Sequence, residues 1–220
     1  MYGKDAEPSF ITSFADREQT IDIGVFLRPY LFDLLSKAGP HFDICVFTAS
    51  EKVYADAILN QVDPLRKLFT ERIYRQHCLK ATLPNTGSKE SRGTVNTDST
   101  ESVNDAHERT IFVKDLRIFA QESVCKPGTL EQYPLSDIII VDNSLLSFAL
   151  QPDNGIPISA YFWDNSDQEL RCLANYLIEK LAPAKDIRVV NKAEFKLQNI
   201  IDLSIQSQLI TEERDRYQSV

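Results

Sequence analysis

Residues 137–144 read Asp-Ile-Ile-Ile-Val-Asp-Asn-Ser, and this stretch decides the fold. Ile138, Ile139, Ile140 and Val141 are consecutive, apolar and β-branched, as in a strand buried on both faces, and such strands belong to parallel sheets covered by helices. The run stops at Asp142-Asn143-Ser144, so a carboxylate and an amide arrive together at the rim of the sheet. Oxygen ligands of that kind suit Mg2+. An Asx turn or cap ahead of Leu145 to Leu150 uses the same residues with no ligand at all.

Working upstream, Thr110 to Val113 is a second β-branched run, followed directly by Lys114-Asp115. Asp43 to Thr48 is a third, and Ser50 can cap a helix whose apolar face is Val53, Tyr54, Ala57 and Ile58. Before it, Pro29 suits the first turn of a short helix through Leu31, Phe32, Leu34 and Leu35, stopped by Gly39-Pro40. Phe10 to Phe14 and Ile21 to Val25 alternate about a polar Ala15 to Gln19, which predicts a β-hairpin. Downstream, Ser166 to Glu169 reads as a capping box opening a helix with Leu170, Leu173, Ala174, Leu177, Ile178 and Leu181 on one face. Ile187 to Val190 reads as a strand and Phe195 to Leu203 as helical. Strands alternating with helices predict an α/β domain: a doubly wound, mostly parallel sheet with helices on both faces and an N-terminal β-hairpin.

The 220 residues carry 32 Asp and Glu against 24 Lys and Arg, a net charge of -8. That excess disfavours nonspecific attraction to nucleic acid or an anionic membrane, so no nucleic-acid partner is expected. The four cysteines show no C-x-x-C pairing and read as buried or free thiols of a reducing compartment. The longest apolar run is far shorter than the roughly 20 residues a membrane-spanning helix requires, and Met1 to Glu7 fits neither a secretory signal nor an Arg-rich presequence. Between Pro84 and Arg109 the apolar side chains are few and the rest is polar, a composition that cannot repay the entropy of ordering, so 84–109 reads as a disordered insertion.

Ligands of doubly wound sheets bind beyond the carboxyl ends of the strands. Three such ends carry polar groups here. Thr48, with the free N–H groups of the helix after it, can hold a phosphate oxygen, though taken alone helix capping is the more ordinary role. Lys114 can neutralise phosphate oxygens, although a lone lysine is ordinarily solvated surface. Asp142 with Asn143 completes the set. His77 beside Cys78 suggests a base and nucleophile, but neighbours in a strand point opposite ways and no third orienting group accompanies them.

Arg28-Pro29, Val46 to Ser50, Tyr54-Ala55-Asp56, Leu59, Asp63-Pro64, Tyr74 to Cys78, Val113 to Leu116, Val141 to Ser144 and Gln151 to Ile158 together resemble the C-terminal-domain phosphatase family of the haloacid dehalogenase superfamily. The pentapeptide Tyr74 to Cys78 is most similar to its Dullard- or Nem-type nuclear-envelope branch. The resemblance implies Mg2+-dependent hydrolysis of phosphoserine and phosphothreonine in proteins, with Thr48 and Lys114 binding phosphate, Asn143 a metal ligand and Asp142 supporting it. It also implies a phosphatase-like domain over 8–190, the insertion at 84–109 within it, and a helical extension and tail over 191–220. The nucleus, or the nuclear envelope and endoplasmic reticulum, is the compartment it implies.

The family's first motif, a hydrophobic strand ending Asp-x-Asp-x-Thr or Val, supplies the attacking carboxylate and the general acid and base. No Asp-x-Asp occurs in the sequence. The expectation is therefore a polypeptide truncated before its nucleophile strand, catalytically inactive and holding Mg2+ weakly, with the strands ending at Thr48 and Asp142 missing their common neighbour. The alternative is a nucleophile-free binding protein similar to the phosphatase-like receptor subunit of the mitochondrial inner-membrane translocase.

Overall fold

The computed structural model describes residues 7–17, 19–83, 109–120 and 133–202. The insertion at 84–109 lies outside the described residues except for Arg109, whose backbone opens a strand, and the polar tail from Thr211 lies outside them too.

Alternation makes the hairpin. β1 (Phe10–Asp16) and β2 (Gln19–Val25) pair antiparallel from Phe10 opposite Val25 to Asp16 opposite Gln19. The strands run further than the Ala15 to Gln19 turn suggests, because Arg17 takes a positive φ of 55° and reverses the chain tightly. The hairpin rests on α2 (Lys52–Val62), where the Thr12 hydroxyl donates to the Ala57 carbonyl at 3.1 Å and Phe14 meets Tyr54 edge-on at 5.4 Å.

α1 (Leu31–Ala38) begins two residues after Pro29, because Tyr30 sits at φ 64° between them. Its stripe of Leu31, Leu34 and Ala38 packs on α3 (Glu169–Tyr176), which continues through a π-helical turn to Leu181. Ala38, Leu170, Leu173, Leu177, Leu181, Ile156 and Ile187 form one buried cluster. Leu116, Ile140, Phe148 and Leu197 form another.

The strands pair two by two. β3 (Cys45–Phe47) lies parallel to β4 (Glu71–Ile73), and β7 (Ile140–Asp142) parallel to β8 (Gly155–Pro157). β5 (Leu79–Leu83) and β6 (Arg109–Val113) are antiparallel. The mixture of helices and short strands is α/β. The single, mostly parallel sheet is not present among the described residues, where two of the four pairs are antiparallel and no strand joins β3 to β7. In place of that junction lies a cavity of about 640 Å3, bordered by Cys45 and Phe47 of β3, Ile140 and Val141 of β7, Ala38 of α1 and Leu173 of α3.

Several local expectations are corrected. The run from Asp137 supplies only three strand residues, because residues 135–137 turn as a 3-10 helix and Asn154 holds the chain there. Ile187 to Val190 is not a strand but the start of α4 (Ile187–Phe195): Asp186 accepts the Arg188 N–H at 3.0 Å, and Ile187 and Asn191, four apart, turn inward together. Ser50 does not cap α2, and Ser166 does not cap α3; Glu51 and Gln168 occupy those positions without side-chain cap bonds. The Ser166 hydroxyl donates to Asp164 instead, and Asp167 receives the Glu169 N–H at 3.0 Å.

Candidate functional site

Lys114 follows β6 directly and is only 8% exposed. A buried ammonium demands partners. Its Nζ lies 2.5 Å from Asp142 Oδ2, at the end of β7, and 5.8 Å from the centre of the Phe47 ring, at the end of β3. Three strand ends therefore converge on one cation. Phe47 also meets Phe119 edge-on at 6.4 Å.

Thr48 comes next after Phe47. Its backbone N–H donates to Ile73 at 2.9 Å, continuing the β3–β4 ladder, and its hydroxyl oxygen accepts the Ser50 N–H at 3.0 Å. The hydroxyl hydrogen remains available as a donor. Arg75 fixes this loop: its Nε donates to the Ala49 carbonyl at 2.7 Å, its N–H to the Ser50 carbonyl at 3.0 Å, and its guanidinium reaches Glu51 at 2.8 Å. The sequence marks Arg75 only as a member of its pentapeptide; its clamp on the Thr48 loop depends on a fold contact between β3 and the 3-10 turn after β4.

Asp142 spends both oxygens. Oδ2 meets Lys114 and Oδ1 accepts the Ser144 N–H at 2.8 Å, the Asx turn that is the ligand-free alternative for this motif. Asn143 is exposed. Asp115 and Gln151 tie the lysine strand to the β7 loop, with Gln151 donating to Asp115 at 3.0 Å and accepting the Leu116 N–H at 3.1 Å. The Arg117 guanidinium, outweighing burial, holds the Asp115 carboxyl below the usual carboxylate range.

His77 and Cys78 do not form a catalytic pair. His77 lies in a 3-10 turn, and its Nδ1 accepts the Tyr74 N–H at 3.2 Å. Burial pushes the Cys78 thiol up despite Lys114 and Arg75 nearby, so it is a poor thiolate, set 4.0 Å from the Thr48 carbonyl. Cys45, Cys78 and Cys172 are in no disulfide.

Mg2+ binds through one or two carboxylates with waters and substrate phosphate, but the one carboxylate here has an ammonium on one oxygen and a backbone N–H on the other. Among the described residues no group of three or more His, Cys, Asp or Glu could hold a metal. The described residues do not make a Mg2+ site by themselves.

The family model described as NLI interacting factor-like phosphatase matches residues 3–188. The chain is 30% identical over 182 residues to CTD small phosphatase-like protein 3 of Caenorhabditis elegans, covering 83% of this chain and 50% of that protein. It is 27% identical over 183 residues to CTD nuclear envelope phosphatase 1B of Danio rerio, with 83% and 58% covered. To Nuclear envelope morphology protein 1 of Schizosaccharomyces pombe it is 32% identical over 150 residues, with 68% and 23% covered. The chain thus spans about a quarter to three-fifths of the length of these relatives.

Proposed function

Because the chain belongs to the NLI interacting factor-like phosphatase family, we propose that the Thr48–Lys114–Asp142 neighbourhood receives the phosphate of a phosphoserine- or phosphothreonine-bearing protein. The observation that carries this is the buried ammonium of Lys114 at the meeting point of three strand ends. Asp142 uses one of its three donors, leaving others for phosphate oxygens, while Thr48, next in sequence to the Phe47 ring that the ammonium faces, supplies a neutral hydroxyl donor. Asn143, exposed on the same rim, is where a further oxygen ligand would come from if a metal accompanied the phosphate.

Binding and turnover separate in this reading. Phosphate hydrolysis in the family needs an attacking carboxylate, and the sequence contains no Asp-x-Asp to supply it. The 220 residues by themselves therefore bind phosphate and do not turn over. The nuclear-envelope names of two relatives support a nuclear-envelope or endoplasmic-reticulum setting and lend nothing to the mitochondrial alternative. No described helix is long and apolar enough to cross a membrane.

Calorimetric titration with inorganic phosphate and with a phosphoserine peptide tests the binding. Thr48→Val and Lys114→Met are each expected to weaken it about tenfold or more, the scale of a lost charge-assisted bond, with circular dichroism checking that each variant is folded. Release of phosphate from an aryl phosphate in Mg2+, abolished by Asp142→Ala, would overturn the prediction of no turnover.

A further inference from the structure

The chain carries a net charge of -8, yet one recess on its surface is rich in cations. It holds about 430 Å3 and is bordered by Lys52 at the start of α2, Arg75 and Cys78 after β4, Lys80 of β5 and Phe112 of β6, with Glu51 as its carboxylate. Two of the three cations are held in place. Arg75 donates to the Ala49 carbonyl at 2.7 Å and lies 5.1 Å from the centre of the Phe112 ring. Lys52 bonds Asp56 and stands 4.6 Å from the centre of the Tyr74 ring. The third is Lys80, which is exposed and forms no ion pair among the described residues. Since Asp56 offsets Lys52 and Glu51 offsets Arg75 at 2.8 Å, the charge left over in the recess is the single one of Lys80.

The recess adjoins the phosphate neighbourhood. Cys78 Sγ, on its border, is 4.0 Å from the Thr48 carbonyl. Lys80 is the cross-strand partner of Phe112, so the two side chains share a face of the β5–β6 pair. Lys114 is two residues beyond Phe112, and alternation along β6 brings it to that same face, about 7 Å further on. An extended peptide repeats in the same way, with side chains two residues apart facing one side at about 7 Å. A peptide that presents its phosphate to Lys114 therefore brings the side chain two residues away to Lys80.

We propose that this recess receives the carboxylate of an Asp or Glu standing two residues from the phosphorylated residue of the phosphoprotein. Lys114 takes the phosphate, and Lys80, with the remaining donors of Lys52 and Arg75, takes the acid. One uncompensated positive charge matches one carboxylate, and a Lys or Arg at that position of the peptide meets like charge, so the recess selects as well as binds. The inference rests on the phosphate reading of Lys114 and narrows it to acidic phosphorylation sites.

The test uses the full chain and the labelled peptide Gly-Asp-Ala-pSer-Ala-Asp-Gly, compared with a counterpart carrying Asn for both Asp. Fluorescence anisotropy at low salt is expected to show the acidic peptide binding about fivefold more tightly, a gain that falls away in about 0.5 M NaCl. In Gly-Ala-Asp-pSer-Asp-Ala-Gly the acids turn to the opposite face, and the gain should be less than about twofold. Lys80→Gln, an exposed change, should bring the gain of the first peptide below about twofold as well. Glu51→Gln, which takes no cap bond from α2, should enlarge it. Equal binding of the Asp and Asn peptides, equal gain from both spacings, or a gain that survives Lys80→Gln overturns the proposal and leaves the phosphate reading standing. Failure of every peptide and of inorganic phosphate to bind overturns both.

Discussion

In the β3–β4 half, buried Asp63 fixes the chain reversal after α2 by accepting the N–H groups of Lys67, Leu68 and Phe69 at 2.8, 3.2 and 3.3 Å. In the β7–β8 half the same task falls to an uncharged amide: Asn154, 2% exposed, donates to the carbonyls of Leu135 and Ile138 at 2.6 and 2.7 Å. The first half continues in the same ionic vein. Asp56 accepts from the Tyr74 hydroxyl at 2.7 Å and from Arg72 at 3.2 Å, and Arg72 also donates to the carbonyls of Leu59 and Asp63. The second rests on packing, with Phe148 and Leu197 pressed against Gly155. The difference teaches that the motif residues divide by task. Asp56, Asp63 and Asn154, with Arg72 from outside the motifs, build two separately fastened halves, and Lys114 with Asp142 marks where the halves meet.

The largest effect should come from the packed half. Phe148 is 1% exposed, and Phe148→Ala is expected to cost about 3–5 kcal/mol in urea denaturation. Gly155→Ala probes the same wall from the other side. A Cβ there would stand 2.6 Å from Phe148 Cδ1 and 2.7 Å from Leu197 Cδ1, and overpacking of that kind costs about 1–3 kcal/mol. A neutral result at both positions would break the contrast between a packed half and an ionic one.

In the ionic half, Asp63→Ala strips three N–H groups of their acceptor, which should cost about 2–3 kcal/mol. Acid sharpens the same contrast. Burial works against the charge on Asp63, but the three N–H donors outweigh it and hold its carboxyl below the usual range; Asp56 is held down against its own burial by Lys52, Tyr74 and Arg72. A carboxyl lower in the folded than in the unfolded chain stabilises fully above the ordinary carboxylate range and loses that contribution as pH falls through it toward the folded value. Hydrogen exchange at falling pH should therefore open residues 63–73 before 135–138, whose Asn154 bonds carry no charge. Simultaneous opening would show that the two halves act as one unit.

How much of this was legible depended on whether a signal was periodic or relational. The hairpin and the stripe of Leu170, Leu173, Ala174 and Leu177 along α3 and the π-helical turn after it follow from spacing alone, and both are found. The polar strand ends at Lys114 and Asp142 were legible because polar residues stop apolar runs, and the structure brings those two together. The cap at Ser166 failed because Asp164 offers its hydroxyl a nearer acceptor. Ile187 to Val190 misled through its β-branched residues, since the Asp186 cap and the inward pairing of Ile187 with Asn191 outweigh intrinsic preference. β5 was missed altogether: its partner β6 lies beyond the 84–108 stretch, and periodicity does not state which strands pair. The sheet order was illegible for that same reason.

The smallest effects fall at the junction between the halves, where two contacts that look alike should differ. Asp115 receives three bonds from the Arg117 guanidinium at 2.7 to 3.0 Å and one from Gln151 at 3.0 Å. Arg117 is exposed and pairs only two residues away, so its bonds hold no distant part of the chain, and water replaces them when they are lost. Gln151 spans 35 residues to accept the N–H of Leu116, a residue 2% exposed, and no water takes that place without entering the core. Gln151→Ala should therefore cost about 1–2 kcal/mol in urea denaturation, the scale of one buried N–H left without an acceptor. Arg117→Ala should leave the denaturation midpoint unchanged within error. Equal effects would mean that the junction is held by charge, as β3–β4 is, and that the boundary between the two kinds of fastening lies further along the chain than Lys114.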